Sequence, residues 1–416
     1  MTLGINLNSV GHPAMPSEPG ERESVWPKRE DFLLLKASLC QGDSCSSAWQ
    51  EWKRSGNLRE LPVRSLQLLP LLYRNLANQG IKDELLPELR MHYLTSLARN
   101  KGLIRSLENL LPSLHQAKID VLVLKGVPLS HLYYRDLGAR RMTDVDILVP
   151  AEQFGATLGL LKASGFVACY PKEEEFFDPQ FAFALDMHNP ASDAWVDLHC
   201  HALEQPNGFG ADGHLWSAAV RLRIGNVECK TLSPTDHLIH AFVHGLTIHL
   251  VPPHRWVADA VTIIRNAQTS LDWARVVSLC REYGLTRVVL AGLRYVRENF
   301  GAPVPLETLG QLEKLHVPLG PWLLLKAAEQ AYPVGFRSFV AENGGAYAAA
   351  MRGVGPLQCV CAVPRFVEYR FQVRRPFSRP YWLLRRFKRM LRKLRMPGRR
   401  GIPAPPGENG TLNRNI

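Results

Sequence analysis

Between Lys28 and about Ala117, leucine and isoleucine recur at three- and four-residue steps, as in SLQLLPLLYRNLANQG and YLTSLARNKGLIRSLENLLPSLHQAK. That spacing lines one face of a helix, so the segment reads as a bundle that packs on another part of the chain. The period then shortens. IDVLVLKG (Ile119 to Gly126) is a β-branched, apolar run closed by Gly, the pattern of a buried strand feeding a turn, and VPLSHLYYRDL suits a helix after it. TDVDILVP (Thr143 to Pro150) is a second strand, stopped by a proline that opens the helix AEQFGATLGLLKASG. GFVACY, FAFALDM and WVDLHC supply further strands. This order predicts an α/β or α+β core of roughly 110 residues.

Beyond Leu232 the helical period returns. In SPTDHLIHAFVHGL, Ser233 can cap, Pro234 suits the first helical position and Asp236 favours the positive end of the helix dipole. Helices continue through HRWVADAVTIIRNA, LDWARVVSLCREYG and TRVVLAGLRYVRENFG, whereas Ala302 to Pro364 shows little regularity. The chain therefore divides into a flexible leader (1–27), an N-terminal helical region (28–117), a core (118–232), a C-terminal helical region (233–364) and a basic amphipathic helix with a disordered tail (365–416).

Asp144 and Asp146 carry the first chemical signal. Residues i and i+2 of a strand share a face, so both carboxylates enter one site. Two carboxylates so close repel unless a cation neutralises them, and oxygen ligands suit Mg²⁺ or Mn²⁺. Asp197 lies in another apolar strand, Trp-Val-Asp-Leu-His, where a buried acid needs a partner. If the two strands are neighbours, three carboxylates converge and can hold two ions, one activating a hydroxyl and the other clamping a triphosphate. Lys125 and Gly126 end a strand and open a helix, where phosphate oxygens are well received. His199, two residues after Asp197, shares its face and is a candidate base or outer ligand. His237, His240 and His244 also share one helix face, and packing is the stronger reading there than zinc.

LKGVPLSHLYYRDLGARRMTDVDILV resembles the signature of nucleotidyltransferase-like proteins of the DNA polymerase β superfamily, in the branch with a Leu-Lys-Gly turn, a Tyr-containing helix, an Arg and Asp-x-Asp. The resemblance continues through the Val-Asp-Leu-His strand, the His-Gly helix and the Arg-Trp-Val-x-Asp helix, roughly Leu61 to Pro305. It implies an α+β fold, a polymerase β-like core with a mixed sheet, flanked by helical regions. It also implies transfer of a nucleoside monophosphate from a nucleoside triphosphate, ATP among them, to a hydroxyl or phosphate of a sugar, small molecule or peptide. Asp144, Asp146 and Asp197 would then be the catalytic metal ligands, and Lys125, Gly126 and Arg140 the nucleotide contacts. Arg140 matches the branch's arginine; the alternative is a solvated loop residue paired with Asp136. By the same resemblance, Asp259 lies over the cleft as an outer residue, with Arg255 four residues before it as a structural partner. One departure stands out: the superfamily's usual Gly-Ser or Gly-Gly turn is here Gly126-Val127, with 16 residues from Pro128 to Thr143 before the acidic pair.

Composition narrows the setting. With 46% hydrophobic and 21% charged residues, the 416-residue chain is neither wholly disordered nor fibrous. Its eight cysteines include no C-x-x-C pair and read as reduced thiols. No basic, then apolar, leader marks a secretory signal, so a cytoplasmic location is expected. The net charge of +12 points to an anionic partner, but it is concentrated: residues 365–416 hold 15 Lys+Arg against 2 Asp+Glu, and residues 1–364 hold 35 against 36. Leu383, Leu384, Phe387, Met390, Leu391 and Leu394 form a stripe opposite the basic residues, which suits an anionic membrane surface better than nucleic acid. The alternative function is therefore a catalytically weak nucleotide-binding adaptor held at a membrane or partner by this helix. A template-free polymerase or tRNA-acting enzyme ranks lower, since no RNA-binding module is recognisable.

Overall fold

The computed structural model describes residues 25–203, 212–246, 254–315, 343–344, 347–348, 350–351 and 354–372. Most of the expected leader and the amphipathic helix at 381–395 lie outside the described residues.

The chain begins with helices α1 (Arg29–Leu39), α2 (Gly42–Ser55), α3 (Val63–Leu66), α4 (Leu69–Asn78) and the 31-residue α5 (Leu86–Gln116). Val25 and Trp26, within the stretch read as leader, are packed: the Trp26 ring meets Trp256 edge-on at 5.9 Å and lies 5.0 Å from Tyr295. Strand β1 (Leu122–Leu124) follows, then α6 (Gly126–Leu129), a π-helical turn (Ser130–Tyr134) and β2 (Val145–Leu148). Next come α7 (Phe154–Ala163), β3 (Val167–Ala168), α8 (Pro171–Glu175), β4 (Ala184–Asn189), β5 (Ala194–His199) and α9 (Gly213–Ser217). A hairpin, β6 (Val220–Ile224) and β7 (Val227–Thr231), leads to α10 (Pro234–Leu246), α11 (Arg255–Asn266), α12 (Trp273–Tyr283), α13 (Thr286–Phe300) and α14 (Leu306–Glu313). A further helix, Pro356–Phe371, begins in the stretch of little regularity and runs across the expected boundary at 364/365.

The seven strands form one mixed sheet in the order β3-β4-β5-β2-β1-β7-β6. β1 runs parallel to β7 and β2 parallel to β5, and the other pairs are antiparallel. Alternation sorts the side chains. Val123, Val145, Ile147, Val196 and Leu198 face a core completed by Leu103, Leu107, Leu110, Leu111 and Leu114 of α5, whose spacing of three and four keeps them on one stripe. Burying each of these leucines contributes about 1.5–3 kcal/mol. The opposite face carries a smaller apolar patch around Leu122, Leu124, Leu148 and Leu232. The acids fall on that face.

The helices before and after the sheet do not form two separate units. Buried side chains of α1, α2, α4 and the start of α5 share one continuous core with those of α10 to α14. α5 begins in that core, at Leu89, and ends against the sheet, which fixes the helical body relative to the strands. Gly245 sets one crossing within it: a β-carbon there would lie 2.2 Å from Trp256 Cβ on α11, so α10 and α11 meet only because the side chain is absent. Gly245→Ala is expected to lose about 2 kcal/mol, the usual cost of overpacking a closed contact. Urea denaturation measures it, and an unchanged midpoint would remove this crossing as a constraint.

Candidate active site

Register brings the carboxylates together. Asp146 on β2 stands directly opposite Asp197 on β5, and Leu148 opposite His199, so Asp146, Asp197 and His199 project from adjacent strands on one face. β1 pairs Leu124 with Asp146, which delivers the next residue, Lys125, to the same place. Lys125 adopts φ 49° and ψ −113°, a conformation L-residues rarely take, at a cost of about 1–3 kcal/mol. The strain aims its side chain back over the strand ends: Nζ lies 2.7 Å from Asp146 Oδ1, 3.6 Å from Asp197 Oδ2 and 3.4 Å from His199 Nε2.

His199 Nε2 reaches Asp197 Oδ2 at 2.9 Å and Asp146 Oδ1 at 3.2 Å, while Nδ1 faces the His201 carbonyl at 3.3 Å. Both ring nitrogens face oxygen acceptors, surroundings that favour the charged imidazolium over the neutral ring. Burial opposes that charge, but the Asp197 carboxylate and the hydrogen bonds to both acids outweigh it and raise the His199 pKa to about 9. Asp146 shows the mirror case: burial favours its neutral form, and the Lys125 charge with the His199 hydrogen bond holds it far below the usual carboxylate range. Lys125 is in turn held above the ordinary lysine value by Asp146 and Asp197 despite its burial. Lys125 and His199 face the Asp146 and Asp197 carboxylates, and the Asp144 charge also acts on Lys125.

Among the described residues, the ligand atoms that gather within 4.8 Å of one another are those of Asp146, Asp197 and His199. Asp144 directly precedes β2, half-buried, with its charge felt at Lys125 and Arg255. The donor set fits a divalent cation on one further observation. Asp197 Oδ1 is buried without a hydrogen-bond partner, an arrangement costing about 1–3 kcal/mol that a cation would relieve.

Arg140 is not the solvated loop residue paired with Asp136. It is only 5% exposed and forks onto Asp259, Nε to Oδ1 at 2.8 Å and Nη2 to Oδ2 at 2.9 Å, while Tyr134 Oη donates to Oδ1 at 2.8 Å. Asp136, its expected loop partner, instead accepts from Tyr93 Oη and the Gly138 amide. Burial disfavours both ions, yet each holds the other charged. Arg255 is the more distant partner, 4.0 Å from Asp259 Oδ2, and donates to the Arg141 carbonyl at 2.9 Å. Arg140 remains close to the turn: a β-carbon on Gly126 would lie 3.0 Å from its Nη1 and 2.6 Å from Met142 Sδ, so a larger residue would have to displace the Met142 side chain. Val127 is fully buried in the sheet core, and the departure from Gly-Ser thus adds a packing side chain to that core.

Several residues that position the site gave no sequence signal strong enough to single them out. The Asn100 amide of α5 donates to the carbonyls of Leu137 and Arg140 and accepts from the Met142 amide, and Arg99 donates to the Thr143 carbonyl. One turn of α5 thereby pins the loop that carries Arg140 and Asp144. Asp186 on β4 stands opposite Asp197 and adds a carboxylate to the row across three strands; its alternation within FAFALDM was the available clue.

His237 and His240 are buried and act as packing residues. His237 Nε2 donates to Thr231 Oγ1, which donates to the Val123 carbonyl, and His240 Nε2 donates to the Ala202 carbonyl. Burial, helped by Arg140, lowers the His237 pKa to about 3, and burial also lowers that of His240 well below normal. The folded state keeps both neutral while the unfolded chain protonates them below about pH 6.5, so each costs about 1.4 kcal/mol per pH unit as pH falls from there toward the folded pKa. His240→Gln, which retains a donor, is expected to flatten the fall in stability between pH 6.5 and 5 by that amount. Urea melts at the two pH values test it; an unchanged slope would contradict it.

A mixed sheet that sets a Lys-Gly turn and carboxylates from neighbouring strands on one face, flanked by helices, is a polymerase β-like nucleotidyltransferase fold. The chain belongs to the uncharacterised nucleotidyltransferase family, whose pattern matches residues 63–301. A comparison with curated proteins finds no match.

Proposed function

We propose that the protein is a nucleotidyltransferase that moves a nucleoside monophosphate from a nucleoside triphosphate to a hydroxyl or phosphate of a small molecule, sugar or peptide. The observation that carries this reading is the register pairing of Asp146 with Asp197 beside the strained Lys125-Gly126 turn, with Asp197 Oδ1 left unsatisfied. Mg²⁺ or Mn²⁺ held by Asp146 and Asp197, with Asp144 beside them, would neutralise the triphosphate and lower the pKa of the acceptor hydroxyl. Lys125 contributes a fixed positive charge facing the carboxylates, and Gly126 permits close backbone approach at the turn. Asp259 holds Arg140 against Gly126, a positioning role that keeps the turn in shape. Mg²⁺-dependent release of pyrophosphate from ATP, GTP, CTP or UTP with a lysate acceptor fraction tests the proposal. Nucleotide binding without any release would favour the adaptor reading.

The concentration of charge in residues 365–416 supports a second, separable proposal: this segment holds the protein at an anionic membrane surface from the cytoplasmic side. No described helix is long and apolar enough to cross a membrane. Truncation after Arg370 should abolish sedimentation with phosphatidylserine vesicles, and persistent binding would overturn the idea.

A further inference from the structure

The helix Pro356–Phe371 is apolar on two sides. One side is docked: Ala362 and Phe366 are buried with Phe181, whose ring meets Phe366 at 5.3 Å, and Arg365 forks onto Asp178, Nε to Oδ2 at 2.9 Å and Nη2 to Oδ1 at 2.8 Å. The other side carries Leu357, Val360, Pro364 and Val367 at steps of three and four, a single stripe interrupted by Glu368. Leu357 is 77% and Val360 70% exposed, the highest values of any large apolar side chain among the described residues, and Val363 beside them is exposed as well. A helix that is apolar all round is ordinarily buried all round, so the outer stripe calls for a cover that the described residues do not supply.

We propose that this outer stripe lies in the surface layer of an anionic bilayer, so that the membrane touches the folded body as well as the basic segment after it. The inference rests on the membrane reading of residues 365–416 and extends it to a helix docked on the sheet. Two observations choose lipid over a second copy of the chain. The stripe runs without a break in sequence into residues 370–395, which hold eleven Lys and Arg and no Asp or Glu, so anionic headgroups suit it and a like-charged copy does not. The stripe is also the convex outer side of one helix, a shape that a bilayer surface accepts without a matching groove. The two signals act together: the basic residues draw the helix to the headgroups, and Leu357 and Val360 add apolar burial once there. The docked side carries the consequence inward. Phe181 stands two residues before Phe183, whose ring lies 5.8 Å from His199 and whose carbonyl accepts from the Cys200 and His201 amides. Contact with lipid therefore holds the candidate active site at the membrane surface, where the basic segment alone would be a loose tether.

The test uses the full-length protein, vesicles of phosphatidylcholine with and without phosphatidylserine, and a polarity-sensitive fluorophore on Cys361, an exposed thiol that borders the stripe, with single labelling verified by mass spectrometry. Phosphatidylserine vesicles are expected to shift the Cys361 emission to the blue. Leu357→Ser/Val360→Ser, which changes no charge, is expected to weaken vesicle sedimentation roughly tenfold with an unchanged circular dichroism spectrum. Sedimentation without a shift at Cys361, or undiminished in the double variant, overturns the proposal and leaves the basic segment as the anchor. No sedimentation of the wild type overturns both. A wild-type dimer in the absence of lipid that the double variant converts to monomer, read by sedimentation equilibrium, would assign the stripe to a second copy and overturn the proposal as well.

Discussion

Asp259→Ala is expected to cost about 3–5 kcal/mol of stability, the loss typical when one partner of a buried ion pair is removed. The substitution leaves the Arg140 guanidinium, 5% exposed, with its Nε and Nη2 donors facing an apolar space, and deprives Tyr134 Oη of its acceptor. Because Arg140 lies on the loop before β2 and Asp259 on α11, the pair ties the sheet to the helical body. Chemical denaturation of Asp259→Ala, with Arg140→Met/Asp259→Leu for comparison, separates the two contributions. The double variant should recover most of the loss, since the Arg140 charge is removed together with its partner. A single-variant loss below about 1 kcal/mol would show that solvent reaches the arginine and that the pair behaves as a surface bridge.

The second large effect is on chemistry. Asp146→Asn is expected to reduce turnover by about 10³-fold or more, equivalent to about 4 kcal/mol of transition-state stabilisation. Asp146 accepts from both Lys125 and His199 through Oδ1, so neutralising it removes the anchor of both cations and one candidate metal ligand together. Stability should change far less than with Asp259→Ala, because the amide oxygen can still accept from Lys125. The comparison of kcat with the unfolding free energy for the same protein preparation is the check. A variant with reduced stability and nearly normal turnover would place Asp146 in the scaffold only.

Much of this site could be seen in the chain before its folding was known. A strand has a two-residue period, so Asp197 and His199 in WVDLHC declare their shared face locally, whereas Asp144, expected beside Asp146 in TDVDILV, directly precedes β2. The register that sets Asp146 opposite Asp197 is not local, for it depends on the parallel pairing of β2 with β5, and residues 149–193 intervene. The same separation hid the partner of Arg140: its neighbour in sequence, Asp136, was the plausible acceptor, while the actual one is 119 residues away. The hairpin of β6 and β7 was legible in principle, with VRLRI and VECKT alternating about a Gly225-Asn226 turn, but both strands are short and charged on one face. The joining of the early and late helices into one core left no local trace at all. Each helix shows only that one face is apolar, not which other helix covers it.

The central claim is the transfer of a nucleoside monophosphate at the Asp146 and Asp197 carboxylates, and the fate of the α-phosphate tests it most directly. Full-length protein, Mg²⁺ or Mn²⁺, an acceptor fraction and each nucleoside triphosphate are incubated in parallel with label at the α- or the γ-phosphate. The account predicts α-label joined to an acceptor with γ-label released as pyrophosphate, and neither product with Asp146→Asn or Asp197→Asn. Transfer of the γ-label, release of orthophosphate alone, or α-label transfer undiminished in those variants would contradict it.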